Sequence, residues 1–375
     1  LNTKQHQRHK ERLDELVLSM PYYVAEYVDD KLDSRSSSTL LNYVHDYKMF
    51  FEWLMSEDIV KCESMKDIPL EALENLELQV AKSFFKYLQR EDIKVSNNET
   101  KKREKVSISR KISALRSLFS YLTTQTEIQE GPKKGEPYFY RNVMLKIEVT
   151  KQKETLSARA SRISQKIFHD DDDIKFLDFL KHHYADELEN TPRKKIYFKR
   201  DKLRDIAICS LFLGSGIRVN ELANLRLKDI EETNSEIYVI RKGGKKDAVA
   251  VVPSAMEDLQ AYLAVRKGIY NATDNENEYV FISKTHNAPT QLSNEAIARL
   301  VKKYTKAFQK NKSISPHKLR HTYGTKLMEQ ENDLHLVMSQ LGHSSTTTAA
   351  LYVNPDKQKA REAARRMDQR EIDNE

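Results

Sequence analysis

Apolar residues recur every three to four positions along the first third of the chain, and that spacing predicts helices. Leu40, Leu41, Val44, Tyr47, Phe50, Phe51 and Leu54 form one stripe, with polar residues filling the gaps. Phe84, Phe85 and Leu88 begin a second, continued by Ile112, Leu115, Leu118, Phe119 and Leu122. Residues 17–126 therefore predict a small all-helical domain after a polar leader at 1–16. From Gln125 to about Gln165 the periodicity loosens, and Gly131, Pro132, Gly135 and Pro137 punctuate a loop, which predicts an interdomain linker over 127–165. The second half mixes patterns. Asp205–Leu213 is apolar nearly all round and predicts a buried helix, stopped by Gly-Ser-Gly at 214–216. Two β-branched runs, Glu236–Arg241 and Ala248–Val252, flank a basic turn and predict a hairpin, with Tyr279–Ser283 a third short strand. Helices return over Glu295–Phe308, Pro316–Glu329, Asp333–Leu341 and Thr346–Tyr352. A basic amphipathic tail closes the chain, so 166–354 reads as a mixed domain and 355–375 as a terminal helix.

Length and charge narrow the class. With 375 residues, two domains is the natural expectation. No apolar run approaches the roughly 18–20 residues of a membrane span, and the N-terminus carries no secretory signal pattern. Cys62 and Cys209 stand far apart, which excludes a disulfide scaffold and suits a reducing cytoplasm. The 63 basic residues exceed the 56 acidic ones, for a net charge of +7, so the excess matters only where it clusters. It clusters in two places. Lys101, Lys102, Arg103, Lys105, Arg110, Lys111 and Arg116 lie on the polar faces of the helical domain, where they can meet phosphates along a groove or simply be solvated. Lys146, Lys151, Lys153, Arg159, Arg162 and Lys166 make the linker region basic.

Four separated motifs carry candidate chemistry. In HKLRHT, Ser315 and Pro316 suit a helix start, which puts His317, Arg320 and His321 on one face. Two histidines four apart can hold a metal, but the zinc-protease pattern needs Glu after the first His, and Lys318 stands there. An anion pocket fits better, because a guanidinium fork matches phosphate oxygens. His321 reads as structural. In LGHSSTTTAALY, Gly342 ends a helix, leaving His343 at a turn, and Tyr352 follows nine residues on. GSGIRVNEL places Arg218 after a glycine stop, with Glu221 near enough to orient it. It is no P-loop, since no Lys-Ser/Thr follows. RKGGKKD sets Lys242 and Lys245 on the hairpin turn. Taken singly, each has a bland reading: a packing tyrosine, a solvated turn, a helix cap. The run Asp170–Asp173 reads as the acidic start of a helix.

Together the four stand in the order Arg, Lys, His-x-x-Arg, His, Tyr, and here the sequence resembles the tyrosine recombinases. That family carries GxRxxEL, a lysine hairpin, HxLRHTxxT, and an LGHxS turn leading to its nucleophile. Within it, GEPYFYRNV, KQKETLSARASRI, RKGGKKD and SPHKLRHT are most like the single-recombinase Xer branch. The departures are Thr348-Ala349 for a frequent Thr-Thr, and Tyr352-Val353-Asn354 for the usual Tyr-Thr-His. The resemblance implies a mainly α fold: a helical N-terminal core-binding domain plus a mixed α+β catalytic domain with a small antiparallel sheet, forming a C-shaped clamp on DNA. It implies Tyr352 as nucleophile, Arg218 and Arg320 clamping the phosphate, and His343 as third donor. Lys242 becomes the general acid (with Lys245 close by), His317 the acceptor of the tyrosine proton, and Glu221 the support of Arg218. It also implies site-specific recombination through a 3′-phosphotyrosyl intermediate without metal or cofactor. The partners it implies are double-stranded DNA and three further copies of the chain, two per recombination site, with room for a DNA translocase as regulator. Chromosome dimer resolution at a dif-like site in the cytoplasm is the expected role. Integration of a mobile element and type IB topoisomerase activity are the alternatives, the first disfavoured by the short leader.

Overall fold

The computed structural model describes residues 4–96, 99–149, 155–241, 244–273, 275–276, 278–285, 288–310, 312–343, 346 and 352. The chain divides into two compact units, Leu1–Lys153 and Glu154–Glu375.

The first unit is built from α1 (Lys4–Val17), α2 (Tyr22–Lys31), α3 (Ser37–Ser56), α4 (Leu70–Glu74), α5 (Leu78–Arg90) and α6 (Lys105–Thr124). The stripes seen in the sequence become its core: Leu40, Val44, Tyr47, Phe50, Phe51 and Leu54 of α3 close on Phe84 and Leu88 of α5 and on Leu115, Leu118 and Phe119 of α6. Ser36 caps α3, its hydroxyl accepting from the Thr39 amide. Two features depart from expectation. The domain is not all-helical, because β1 (Asp92–Ser96) and β2 (Glu99–Lys102) pair antiparallel between α5 and α6. And stretches expected as linker are part of this core: Phe139, Val143, Met144 and Ile147 are buried in it.

Several of the basic residues assigned above to a DNA-facing surface are instead committed within this unit. Lys111 is buried, its ammonium 2.7 Å from Asp46 Oδ1, and Arg110 holds the same carboxylate at 2.8 Å. This corrects the exposed position expected for Lys111: an apolar stripe with one inward lysine reads the same as a clean amphipathic helix. Arg116 donates to the carbonyls of Met144 at 3.0 Å and of Ile147, tying the later chain to α6. Arg103 pairs with Glu91 at 2.7 Å. Lys101, beside Glu104 at 2.9 Å, and Lys102 remain exposed on β2.

The second unit contains α7 (Leu156–Ser164), α8 (Asp172–Asp178), α9 (Pro192–Ser215), α10 (Val219–Ala223), α11 (Pro253–Tyr270), α12 (Asn294–Phe308), α13 (Pro316–Glu331) and α14 (Leu334–Leu341). Its sheets are small: β3 (Ile230–Glu231), β4 (Glu236–Ile240) and β5 (Lys246–Ala250) run antiparallel in that order, and β6 (Ile282–Thr285) pairs with β7 (Ala288–Gln291). The expected buried helix is the C-terminal half of α9, every residue from Arg204 to Ser215 being buried, and Gly216 ends it in the left-handed region. Helix α11, which the hydrophobic pattern alone did not flag, packs closely enough on α9 that a Cβ at Gly214 would sit 2.6 Å from Ala255 Cβ. The acidic start of α8 is present as expected, with Asp173 2.5 Å from Lys326 of α13. No helix among the described residues is long and apolar enough to cross a membrane.

The Asp46 pair gives a direct test of the first core. Removing one member of a buried ion pair leaves an uncompensated charge, so Asp46→Ala should destabilise this unit by about 3–5 kcal/mol. Adding Lys111→Met to that variant should recover much of the loss, as read by chemical denaturation.

Candidate active site

Helix α14 ends in a Schellman motif: the Gly342 amide bonds to Ser339 O at 3.0 Å and the His343 amide to Met338 O at 2.9 Å. Gly342 adopts φ +58, and a Cβ there would lie 2.6 Å from the Arg241 Nε, so both backbone and packing call for glycine. Among the described residues the next three carbonyls have no backbone partners, and they lie at the negative end of the helix dipole. Each takes a guanidinium from a different part of the chain. Arg241 Nη2 donates to Gln340 O at 2.8 Å, Arg320 Nη2 to Leu341 O, and Arg218 Nη2 to Gly342 O at 2.8 Å.

The three arginines are held from behind as well. Glu221, buried in α10, takes Arg218 Nη1 on Oε1 at 2.7 Å, and the Arg218 amide on Oε2 at 2.8 Å. This is the acidic half of a capping box, with Arg218 as the N-cap residue. Arg241 Nη1 reaches the same Oε2 at 3.2 Å. Arg320 is 2% exposed and also donates to Gly216 O at 2.6 Å. Burial, then the neighbouring Arg218, lowers its pKa to about 10, which still leaves it charged at neutral pH. A guanidinium carries five donors. Bonds to described residues use two on the Arg218 side chain and three on Arg320, so among the described residues both keep N–H groups without an acceptor.

His343 follows directly. Arg320 Nη2 lies 3.2 Å from its Nε2. A guanidinium cannot accept, so Nε2 carries the lone pair and, in the neutral ring, the proton sits on Nδ1. That Nδ1 is buried and has no hydrogen-bond partner among the described residues. It is therefore a desolvated donor awaiting an acceptor. Burial, with Arg320 and Arg218 next, pulls this histidine down to about 4, so it is neutral at working pH.

Tyr352 closes the cluster. Its ring is buried, 6.0 Å from that of His343 and nearly parallel to it, and 5.4 Å from that of His321. A Cβ on Gly324 of α13 would come within 2.8 Å of the phenol ring, so the helix leaves that space for the tyrosine. Burial pushes the phenol up to about 12, against a downward pull from Arg320 and Arg218. His317 and His321 share a hydrogen bond between their Nε2 atoms at 3.2 Å. Desolvation and then the Arg320 charge lower His317, although the residue as a whole is exposed, while burial and then His317 bring His321 down to about 3.

Arg218, Glu221, His317, Arg320, His343 and Tyr352 thus gather at one place in the second unit. Lys242 lies outside the described residues, as does the segment 355–375 expected as a terminal helix; Lys245 is exposed on the hairpin. The sequence reading missed Arg241 and the α14 carbonyls. An arginine at the end of a strand carries no periodicity signal, and a carbonyl has no letter of its own.

Comparisons with known proteins give the family and the fold. Residues 178–359 match the phage integrase family. The chain belongs to that family, the tyrosine recombinases, and is an enzyme of site-specific recombination that cleaves and rejoins DNA strands. Along 345 residues it is 39% identical to the tyrosine recombinase XerS of Streptococcus agalactiae serotype III (strain NEM316), covering 92% of this chain and 94% of that protein. XerS of Streptococcus equi subsp. zooepidemicus (strain H70) is 40% identical over the same coverage. Among solved structures, XerH bound to its difH substrate before cleavage matches with a TM-score of 0.60 at 19% identity, over 95% of this chain and 96% of that one. A lambda integrase dimer bound to a COC′ core site matches at 0.55 and 17%, over 89% and 95%. These likenesses bear on the fold, which is the mainly helical one with small antiparallel sheets.

Two histidines held neutral, the buried His321 and the half-buried His343, make stability depend on pH. Their folded pKa values lie below the unfolded one, so the unfolded chain binds more protons as pH falls. Stability is full above about 6.5 and declines below it, by about 1 kcal/mol per histidine at pH 5.5. Denaturation of the second unit between pH 7.5 and 5.5 should show that slope, and His321→Gln should flatten it relative to the parent chain.

Proposed function

We propose that Tyr352 is the nucleophile of this recombinase and that Arg218, Arg320 and His343 bind the scissile phosphate. A phosphodiester is anionic, and charge accumulates on its non-bridging oxygens as the tyrosine oxygen attacks. Fixed guanidinium groups in a dry site stabilise that charge without reorganising. The N–H groups of the two arginines and the Nδ1–H of His343 that no described residue engages supply the donors. His317, exposed but with its pKa lowered by desolvation and by nearby cations, accepts the phenolic proton, since a phenol held near 12 needs both a base and a positive field to react. The P–O5′ bond breaks, Lys242 gives its proton to the leaving oxygen, and a 3′-phosphotyrosine remains. Glu221 orients Arg218. The phosphotyrosine keeps the bond energy, so a second attack by a 5′ hydroxyl rejoins the strand in the new arrangement.

The observation that carries this reading is the tyrosine ring buried against His343, whose other edge is held by Arg320. The biological role that fits best is resolution of chromosome dimers in the cytoplasm, at a short dif-like site, by a tetramer with two copies per site. Likeness to XerS proteins along 92% of the chain supports it. Lys101 and Lys102, exposed on β2, remain the candidates for sequence-independent phosphate contact by the first unit, and Arg110 retains a partly exposed side chain beside Asp46.

A nicked suicide substrate tests the chemistry. Tyr352→Phe should bind DNA as the parent chain does and form no covalent adduct. Arg320→Ala and His343→Ala should lower the rate of adduct formation by roughly 10²–10³-fold, the scale of losing one oxyanion donor. An adduct formed by Tyr352→Phe would overturn the assignment.

A further inference from the structure

Arg241 is the third guanidinium at the end of α14, and nothing above gives it a part in the reaction. Its backbone closes the β4–β5 hairpin: its amide donates to Lys245 O at 2.8 Å, and its carbonyl accepts from Gly244 at 3.0 Å. Its side chain is buried and reaches three oxygens on three different elements. These are Asp247 Oδ2 on β5 at 2.9 Å, Glu221 Oε2 on α10 at 3.2 Å and Gln340 O on α14 at 2.8 Å. Gly342 presses on the same guanidinium from the α14 side.

The tip of a glycine-bordered hairpin is ordinarily free to swing, because its own ladder fixes it to nothing else. Here the last paired position of β4 is Ile240, opposite Lys246, and the next residue is the buried arginine. It ties the hairpin end to the same carboxylate that holds Arg218 and to the helix end that presents His343. Lys242 is its immediate neighbour in the chain. We propose that Arg241 is a positioning residue, anchoring the end of the hairpin to Glu221 and the α14 carbonyls and thereby placing Lys242 to protonate the leaving 5′ oxygen. The inference rests on the assignment of Lys242 as general acid. Proton transfer needs a heavy-atom approach of about 2.6–3.2 Å, and a loss of placement by about 1 Å costs on the order of 10²-fold in rate.

The test compares two suicide substrates in the full-length protein. One has the natural 5′ oxygen at the scissile phosphate and the other a bridging 5′ sulfur. With sulfur the P–S bond breaks to release a thiolate, whose conjugate acid has a pKa of about 8.5, so no proton donor is required. Arg241→Ala should form adduct at least about tenfold more slowly on the oxygen substrate and within about twofold of the parent rate on the sulfur one, measured on bound DNA. Equal slowing on both substrates, or no slowing on oxygen, overturns the proposal. Asp247→Asn removes a half-exposed partner of Arg241 and carries the same test should Arg241→Ala not fold: slowing confined to oxygen supports the anchor, and any other pattern counts against it. Lys242→Ala on the same substrates separates the two layers. If sulfur does not restore that variant, the general-acid assignment fails; if it restores Lys242→Ala but not Arg241→Ala, the positioning role alone fails.

Discussion

Three carbonyls that a helix cannot satisfy itself are the constraint on which the catalytic unit is arranged. The Schellman end of α14 uses up two of the terminal acceptors and, among the described residues, leaves Gln340, Leu341 and Gly342 with carbonyls that no backbone amide takes. Three arginines, brought by the β4 end, by α13 and by the start of α10, cap them in succession. Without that negative end, packing three guanidinium groups around one turn would be strongly unfavourable, since each repels the others and has lost water. With it, the cations are partly neutralised by dipoles rather than by carboxylates. A buried carboxylate among them, Glu221, is shared by Arg218 and Arg241. Positive field therefore survives in the cluster, available to a ligand.

The histidines and the tyrosine take their properties from the same cause. A field of fixed cations, added to desolvation, keeps His343 and His321 neutral and lowers the pKa of His317. Neutral His343 accepts from Arg320 with one nitrogen, which compels it to donate with the other. Tyr352 feels burial and field in opposition, and burial wins before DNA arrives. In the proposed reaction a bound phosphate brings the negative charge that the arginines lack, and a base then frees the phenolic proton.

The side chains that gather at the candidate site were legible in the sequence because each sits in a stretch with its own local grammar. Gly-Ser-Gly stops α9 before Arg218, Pro316 starts α13 before His317 and Arg320, and Gly342 ends α14 before His343. Both long apolar stripes of the first unit were legible for the same reason. What escaped was whatever depends on a partner far along the chain. Lys111 looks like a surface lysine until Asp46 faces it, and Arg241 looks like the end of a strand until Glu221 and Gln340 do. The strand pair Asp92–Ser96 and Glu99–Lys102 lies in a short, mostly polar run, so no hydrophobic pattern announced it.

A crystal structure of the second unit's active site in the full chain with DNA carrying a recombination half-site tests this account most directly. The account predicts one phosphate within hydrogen-bond distance of Arg218, Arg320 and His343 Nδ1, in line with the Tyr352 hydroxyl, while both arginines keep their bonds to Gly342 O and Leu341 O. Arginines that abandon those carbonyls to reach the phosphate, or a Tyr352 hydroxyl facing some other group, would contradict it.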